Sequence, residues 1–253
     1  MREKDHHYGG RVHVVEDTYL ETLLTRLCAP WTVQPDATRL MERLYTGLAQ
    51  IVLGRELKAL RQMSPTRMCD VETMGALSAY TIVNNGTELV LVDVARAGTV
   101  PTQVFYKEAL EVLNPGQVRK DLVVAERGPS GTVINGTKIR GTWDKKVVVI
   151  ADPMGASGGT TVEVCRKYES LGGSPHKIVL VHLIVAPEYI RRLQVDLPEA
   201  HIYTMRVDRG RSSPKVLAST PGTYPDEEFG LDEKKYIHPG LGGAGELMSG
   251  TDD

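Results

Sequence analysis

Cysteine is scarce in this 253-residue chain: Cys28, Cys69 and Cys165 lie far apart and form no CxxC pair. That spacing excludes a disulfide framework and a cysteine-built zinc site, and it fits reduced thiols in a cytosolic protein. Long apolar runs are missing too. The longest, residues 178–186, is nine residues and contains His182, against the ~20 apolar residues that a bilayer span requires. The opening MREKDHHYGG is polar, lacks the apolar segment of a secretory signal, and reads as a loose arm. No charge of one sign accumulates. The formal net charge is −2, with 30 basic and 32 acidic residues, so neither a nucleic-acid face nor a polybasic membrane stretch is expected. The seven histidines are scattered and predict no metal cluster. The chain shows no internal repeat, no low-complexity tract, and no paired carboxylates or Ser/His/Asp set for acid–base or covalent catalysis.

What the chain does carry is DPMGASGGT at 152–160, directly after the apolar run VVVIA at 147–151. The run is β-branched and short, the mark of a buried strand. Residues 161–168 suit a helix. A strand feeding a small-residue turn that opens a helix leaves several backbone N–H groups unpaired and aimed at one spot. The helix dipole adds to their pull, and the turn becomes a socket for phosphate. Gly158 and Gly159 permit close backbone approach, Ser157 and Thr160 add hydroxyl donors, and Asp152 is placed to accept hydrogen bonds from sugar hydroxyls. The same turn also reads as a plain tight connection, with Asp-Pro as a turn starter. It lacks the GK[ST] of a Walker A loop, which argues against a nucleotide triphosphatase of that class.

Residues 36–61 place Leu40, Leu44, Leu48, Ile51, Val52, Leu57 and Leu60 at helical spacing, which predicts one long amphipathic helix. Strand-like runs at 88–95, 122–125, 147–151, 177–186 and 201–207 alternate with helical stretches at 100–113, 160–171 and 187–195. His182 falls inside one of those runs, as a packed or paired ring. The alternation predicts an α/β fold: a mostly parallel twisted sheet with helices on both faces. Ligands gather beyond the carboxyl ends of such strands, where Asp152 and the turn Arg96-Ala97-Gly98 both lie. One domain is expected, with an N-terminal arm at 1–35, the core at 36–208 and a turn-rich appendage at 209–253.

Arg96 sits at a strand end before a helix, a second anion-site design. Residues 126–143 read as a mobile hairpin with an Asn135-Gly136 turn, headed by Arg127, with Lys138 and Arg140 on its return limb. Such a basic hairpin suits closure over a polyanion and equally suits a solvated surface loop. The tail GLGGAG matches GxGxxG, but too little chain follows to build a dinucleotide unit on it. Its unshielded peptide groups suit a planar heterocycle better than a phosphate.

Taken in order, RAG at 96–98, Arg127, DPMGASGGT and YIHPGLGGAGE at 236–246 resemble the uracil phosphoribosyltransferase family. APEYIRRL at 186–193 and IYTMRVD at 202–208 add to the likeness, which covers most of residues 12–251. The resemblance implies a type I phosphoribosyltransferase fold with a flap hairpin and a C-terminal base-binding hood. It implies transfer of phosphoribose from phosphoribosyl pyrophosphate (PRPP) to uracil N1, giving UMP and pyrophosphate. The 5′-phosphate would rest on the amides of Ala156, Ser157, Gly158, Gly159 and Thr160, with Pro153, Met154 and Gly155 in the same PRPP-binding loop. Asp152 would hold the ribose hydroxyls, and Arg96 and Arg127 would neutralise pyrophosphate. Ile237, Gly242, Gly243 and Ala244 would read uracil through main-chain groups. Mg²⁺ would arrive with PRPP rather than on protein ligands. The resemblance further implies a homo-oligomer, dimer or tetramer, working in the cytoplasm, with no nucleic-acid or membrane partner.

The chain departs from the family pattern in three places. Gly155-Ala156-Ser157 replaces the family's Leu-Ala-Thr, Gly243 replaces its first tail aspartate, and Glu246 its second. The link from Asp208 to Tyr236 and the flap are also longer. Two other readings follow from these departures: a non-catalytic relative that senses PRPP or a nucleotide, and a transferase that uses another base.

Overall fold

In the computed structural model, which describes residues 2–68, 77–128 and 131–249, the chain opens with β1 (Arg2–Glu3), β2 (Val12–Glu16), α1 (Thr18–Leu27) and α2 (Asp36–Glu56). An antiparallel ribbon follows, β3 (Ala59–Pro65) with β4 (Leu77–Val83). Next come β5 (Leu89–Ala95), α3 (Thr99–Val112) and the hairpin β6 (Val118–Gly128) and β7 (Gly131–Lys138). Then follow β8 (Val147–Ala151), β9 (Met154–Gly155), α4 (Gly159–Glu169) and β10 (Lys177–Val181). The chain closes through β11 (Ile184–Val185), α5 (Pro187–Asp196), β12 (His201–Thr204), β13 (Arg206–Val207), α6 (Pro214–Leu217) and α7 (Ala244–Ser249).

The main sheet has the order β1-β2-β12-β10-β8-β5-β6-β7. Pairing is parallel from β2 to β6 and antiparallel only at the two edges. The side-chain period of two sends alternate residues of each strand to opposite faces. Leu89, Leu91, Val147, Val149, Val179 and Val181 pack with α1, α2 and α3, while Val90, Val92, Val148, Ile150 and Leu180 pack with α4 and α5. Because both faces are covered, the strands read as continuous apolar runs. Strand order reverses between β5 and β8: β6 follows on one side of β5, and β8, β10 and β12 build outward on the other. Such a switch point leaves a crevice beyond the carboxyl ends of the strands.

Four local readings change. Leu57 and Leu60 fit the helical period, but α2 stops at Glu56, where Leu57 turns extended (ψ 147°). The Glu56 carboxylate is tied down there by Lys177 Nζ at 2.6 Å and by the Tyr203 hydroxyl, and Leu60 pairs with Ile82 in the ribbon. The opening segment is not loose: Tyr8 is buried, and the His7 N–H donates to the Pro221 carbonyl at 2.7 Å. Buried Val12, Val14 and Val15 bring β2 into the main sheet, so the sheet begins well before residue 36. Asn135-Gly136 forms no turn. It lies within β7 opposite a register shift at Val124/Ala125, and the antiparallel pairing continues past it to Gly128 opposite Gly131. The apolar run at 177–186 is broken at His182, after which β9, β11 and β13 form a small parallel sheet of their own. Cys165 is buried and Cys28 half-buried, both as free thiols, and Cys69 lies outside the described residues.

Candidate functional site

The loop at 152–160 begins as an extension of β8. Met154 and Gly155 pair with Ile184 and Val185, and the Ala186 N–H donates to the Gly155 carbonyl at 2.9 Å. A Cβ on Gly155 would stand 2.8 Å from Val185 Cγ1 and 3.1 Å from the Tyr189 ring, so only glycine fits this crossing. Beyond it the backbone turns through Gly158 (φ +77°) into α4, whose first helical bond runs from the Val162 N–H to the Gly158 carbonyl. Among the described residues, the N–H groups of Ala156, Ser157, Gly158, Gly159 and Thr160 have no acceptor. Five successive donors at the head of an 11-residue helix make a concentrated anion site. The free donors start at Ala156, while Pro153, Met154 and Gly155 serve the small sheet.

A chain of hydrogen bonds fixes Asp152 from behind. His182 Nδ1 lies 2.7 Å from the Asp152 carbonyl oxygen, which can only accept, so Nδ1 carries the proton. His182 Nε2 then accepts from the Tyr189 hydroxyl at 2.7 Å, and the Tyr189 oxygen lies 3.1 Å from Thr161 Oγ1. The Asp152 side chain meanwhile accepts the Met154 N–H on Oδ1 at 3.0 Å. Burial drives the His182 imidazole down to about 4 against the partial support of the Asp152 carbonyl. Below its ordinary value near 6.5 the unfolded chain binds a proton that the folded chain refuses. Stability therefore falls as pH drops from about 6.5 to about 4, by roughly 3 kcal/mol in all. Urea midpoints measured across that range should show this slope. In His182→Gln the share due to this ring should vanish; an unchanged slope would remove His182 as its source.

At the neighbouring strand end, the turn Arg96-Ala97-Gly98 leads into α3. A Cβ on Gly98 would lie 2.8 Å from the Val94 carbonyl oxygen and 2.9 Å from that of Ala151, so this turn and the end of β8 are in direct contact. The Arg96 side chain is exposed and has no protein partner among the described residues. Asp93 sits buried beneath the turn and accepts from Thr99 Oγ1 at 2.9 Å; burial raises its carboxyl above the ordinary range. Nothing in the residue pattern distinguished Asp93 from its strand. On the hairpin, Arg127 lies on β6 opposite Thr132. Thr132 Oγ1 reaches Thr160 Oγ1 at 3.3 Å, so the hairpin rests against the head of α4. Lys138 and Arg140 are exposed further down the return limb.

The tail is anchored by two residues that the sequence reading passed over. Arg206 and Asp208 form a two-pronged ion pair (2.6 and 2.9 Å). Asp208 Oδ2 also accepts the Gly240 N–H at 2.7 Å, and Arg206 Nη2 donates to the Gly240 carbonyl at 3.2 Å. Gly240 has φ +63°, and a Cβ there would lie 2.2 Å from the Ile237 carbonyl oxygen. Leu231 and Ile237 face each other across a narrow bridge whose hydrogen bonds belong to their neighbours: Asp232 N–H to Tyr236, and His238 N–H to Gly230. The N–H and C=O of Ile237 itself are left without a partner among the described residues. Ile237 belongs to the same buried cluster as Ala151 and Ile184, against which Met154 and Ala156 of the 152–160 loop also pack. Gly243 follows Gly242 (φ +76°) and precedes α7 at Ala244. The Glu246 carboxylate folds back over it, with Oε2 only 1.8 Å from where a Gly243 Cβ would sit. A glutamate at the third helical position reaching its own N-cap is the geometry of a capping box. A side chain at 243 and this placement of Glu246 exclude each other.

The uracil phosphoribosyltransferase family model matches residues 14–230. The uracil phosphoribosyltransferase of Rhodococcus jostii is 28% identical over 244 residues, covering 96% of this chain and 99% of that protein. That of Pyrococcus furiosus is 27% identical over 252 residues, covering 98% and 93%. Among solved structures, the AQ2163 protein from Aquifex aeolicus superposes with a TM-score of 0.69 at 22% identity, over 94% of this chain and 97% of that one; it shares the fold.

Proposed function

The chain belongs to the uracil phosphoribosyltransferase family, and on that premise we propose that it transfers phosphoribose from PRPP to uracil. Uracil N1 bonds to ribose C1, the bond from C1 to pyrophosphate breaks, and the N1 proton leaves to solvent; the products are UMP and pyrophosphate. The observation that carries this reading is the row of free amides from Ala156 to Thr160 at the head of α4, beside the switch point. They receive the 5′-phosphate. The Asp152 carboxylate takes the ribose hydroxyls, and Arg96 at the adjoining strand end takes pyrophosphate, with Arg127 on the hairpin as its second cation. The free N–H and C=O of Ile237, with the peptide groups of Gly242, Gly243 and Ala244, face the amide edge of the base.

The DPMGASGGT loop offers one carboxylate, Asp152, which is too few for a dedicated Mg²⁺ cage but fits an ion that brings its own oxygen ligands from a diphosphate and water. Mg²⁺ carried with PRPP would neutralise charge on the departing pyrophosphate. The chain's own residues supply position and charge. Amides and a carboxylate held by the backbone, with guanidinium groups to meet the departing charge, lower the barrier without a protein nucleophile. The hairpin, resting on Thr160 through Thr132, is placed to close over the donor and exclude water. The same reading gives a cytoplasmic enzyme on free small molecules that assembles as a dimer or tetramer. No described helix is long and apolar enough to cross a membrane.

Incubation with PRPP, Mg²⁺ and uracil should release pyrophosphate and form UMP. Release only with another base would reassign the acceptor. PRPP binding without turnover on any base would sink the catalytic reading.

A further inference from the structure

Three metal-ligating groups meet at the amino ends of β10 and β12, on the sheet edge away from the loops just described. They are His13 on β2, His201 on β12 and Glu56 at the end of α2. Their ligand atoms all lie within 4.8 Å of one another, and His201 Nδ1 is 3.6 Å from Glu56 Oε1. Around a tetrahedral zinc, with bonds of ~2.0–2.1 Å, neighbouring ligand atoms are roughly 3.4 Å apart. A small closure of these side chains reaches that figure.

The hydrogen-bond pattern suits a metal. His13 Nδ1 faces the Glu3 carboxylate at 3.2 Å, and Glu3 is in turn held by Arg55. The ionised carboxylate only accepts, so the imidazole proton sits on Nδ1 and Nε2 presents its lone pair. His13 is 4% exposed, and its Nε2 has no hydrogen-bond partner among the described residues; nor has His201 Nδ1. A buried nitrogen acceptor with nothing to accept is costly unless it has a ligand. A carboxylate behind a histidine, turning the opposite nitrogen inward, is how metal-binding imidazoles are oriented. Lys177 occupies Glu56 Oε2, while Oε1 takes the Tyr203 hydroxyl on one lone pair and keeps the other.

We propose that His13, His201 and Glu56 bind one divalent transition-metal ion of the zinc type, with water as the fourth ligand. Two imidazoles select such an ion over Mg²⁺ or Ca²⁺. The ion ties β2, β12 and the end of α2 together, and its role is structural, apart from the phosphoribosyl chemistry.

The test uses full-length protein stripped with a chelator and then titrated with Zn²⁺ or Co²⁺. One equivalent of Zn²⁺ per chain should bind and raise Tm, while Mg²⁺ at the same concentration should not. Bound Co²⁺ should show the intense visible band of a four-coordinate ion. His13→Gln with His201→Gln should abolish binding, and His6→Gln with His7→Gln should leave it intact. Glu3→Gln, which removes only the orienting carboxylate, should weaken binding about 10- to 100-fold. The proposal is overturned if wild type binds no more Zn²⁺ than the His13/His201 double variant, or if the Co²⁺ spectrum is that of a six-coordinate ion. Should the double variant fail to fold, the wild-type Co²⁺ spectrum and the Glu3→Gln affinity decide on their own.

Discussion

Arg96→Ala should lower kcat/KM for PRPP by about 100- to 1,000-fold, the cost of removing one charged donor aimed at a group whose negative charge grows in the transition state. The fold should scarcely notice. Arg96 is exposed and bonds no other side chain among the described residues, so Tm should stay within about 2 °C of wild type. This separation of effects makes the test informative, because a structural arginine would lose stability and activity together. Arg96→Lys should recover part of the loss, since an ammonium keeps the charge but not the planar fork that matches a diphosphate. Steady-state kinetics with PRPP varied at saturating uracil, alongside thermal melts, decide it. Unaltered kinetics in Arg96→Ala would withdraw the arginine from the donor site.

The parallel sheet and the strand–turn–helix around residues 152–160 were legible because their signals are local. VVVIA, a small-residue turn and a helical run stand in one continuous stretch, and the structure places β8, the turn and α4 there in that order. What stayed hidden depends on partners far away in sequence. Asp93 is an acidic residue inside an apolar strand until Thr99 folds over it. Arg206 and Asp208 look like ordinary strand-end charges until Gly240 arrives between them. Leu57 and Leu60 obey the helical period, and only the capture of Glu56 by Lys177 and Tyr203 shows why the helix ends before them. The β3–β4 ribbon follows directly, yet its exposed Met63, Tyr80 and Ile82 give no clean alternation to read. Asn135-Gly136 carried the usual hairpin-turn signature, but the bulge opposite Ala125 absorbed it inside the strand. The metal-ligating cluster was invisible for the same reason: residues 13, 56 and 201 become neighbours only through the strand order β2-β12-β10.

Glu228→Ala should be among the most destabilising single substitutions in the chain, by about 3–5 kcal/mol, the range for stripping one partner from a buried ion pair. Glu228 is fully buried within the segment that the sequence reading took for an appendage. Its Oε1 accepts from Arg209 Nη1 at 3.0 Å and from the Gly222 N–H at 2.8 Å, while Oε2 takes the Tyr8 hydroxyl from the opposite end of the chain. Arg191 of α5 donates to the Glu228 carbonyl at 2.7 Å. One carboxylate thus joins the opening segment, the loop after β13 and, through its own backbone, α5. Removing it leaves the Arg209 guanidinium buried with carbonyl partners only, those of Val216, Leu217 and Ser219, and leaves the Gly222 amide without an acceptor. For a domain of this size that loss lowers Tm by about 10 °C. Glu228→Gln should fall between, since an amide oxygen still accepts from Gly222 while the charge on Arg209 goes unbalanced. Because the same segment leads through Gly230 to Ile237, limited proteolysis should cut Glu228→Ala first within 209–235, ahead of global unfolding. A melt within about 2 °C of wild type, with no new cleavage there, would show that the segment is held by other contacts and that Glu228 is not its anchor.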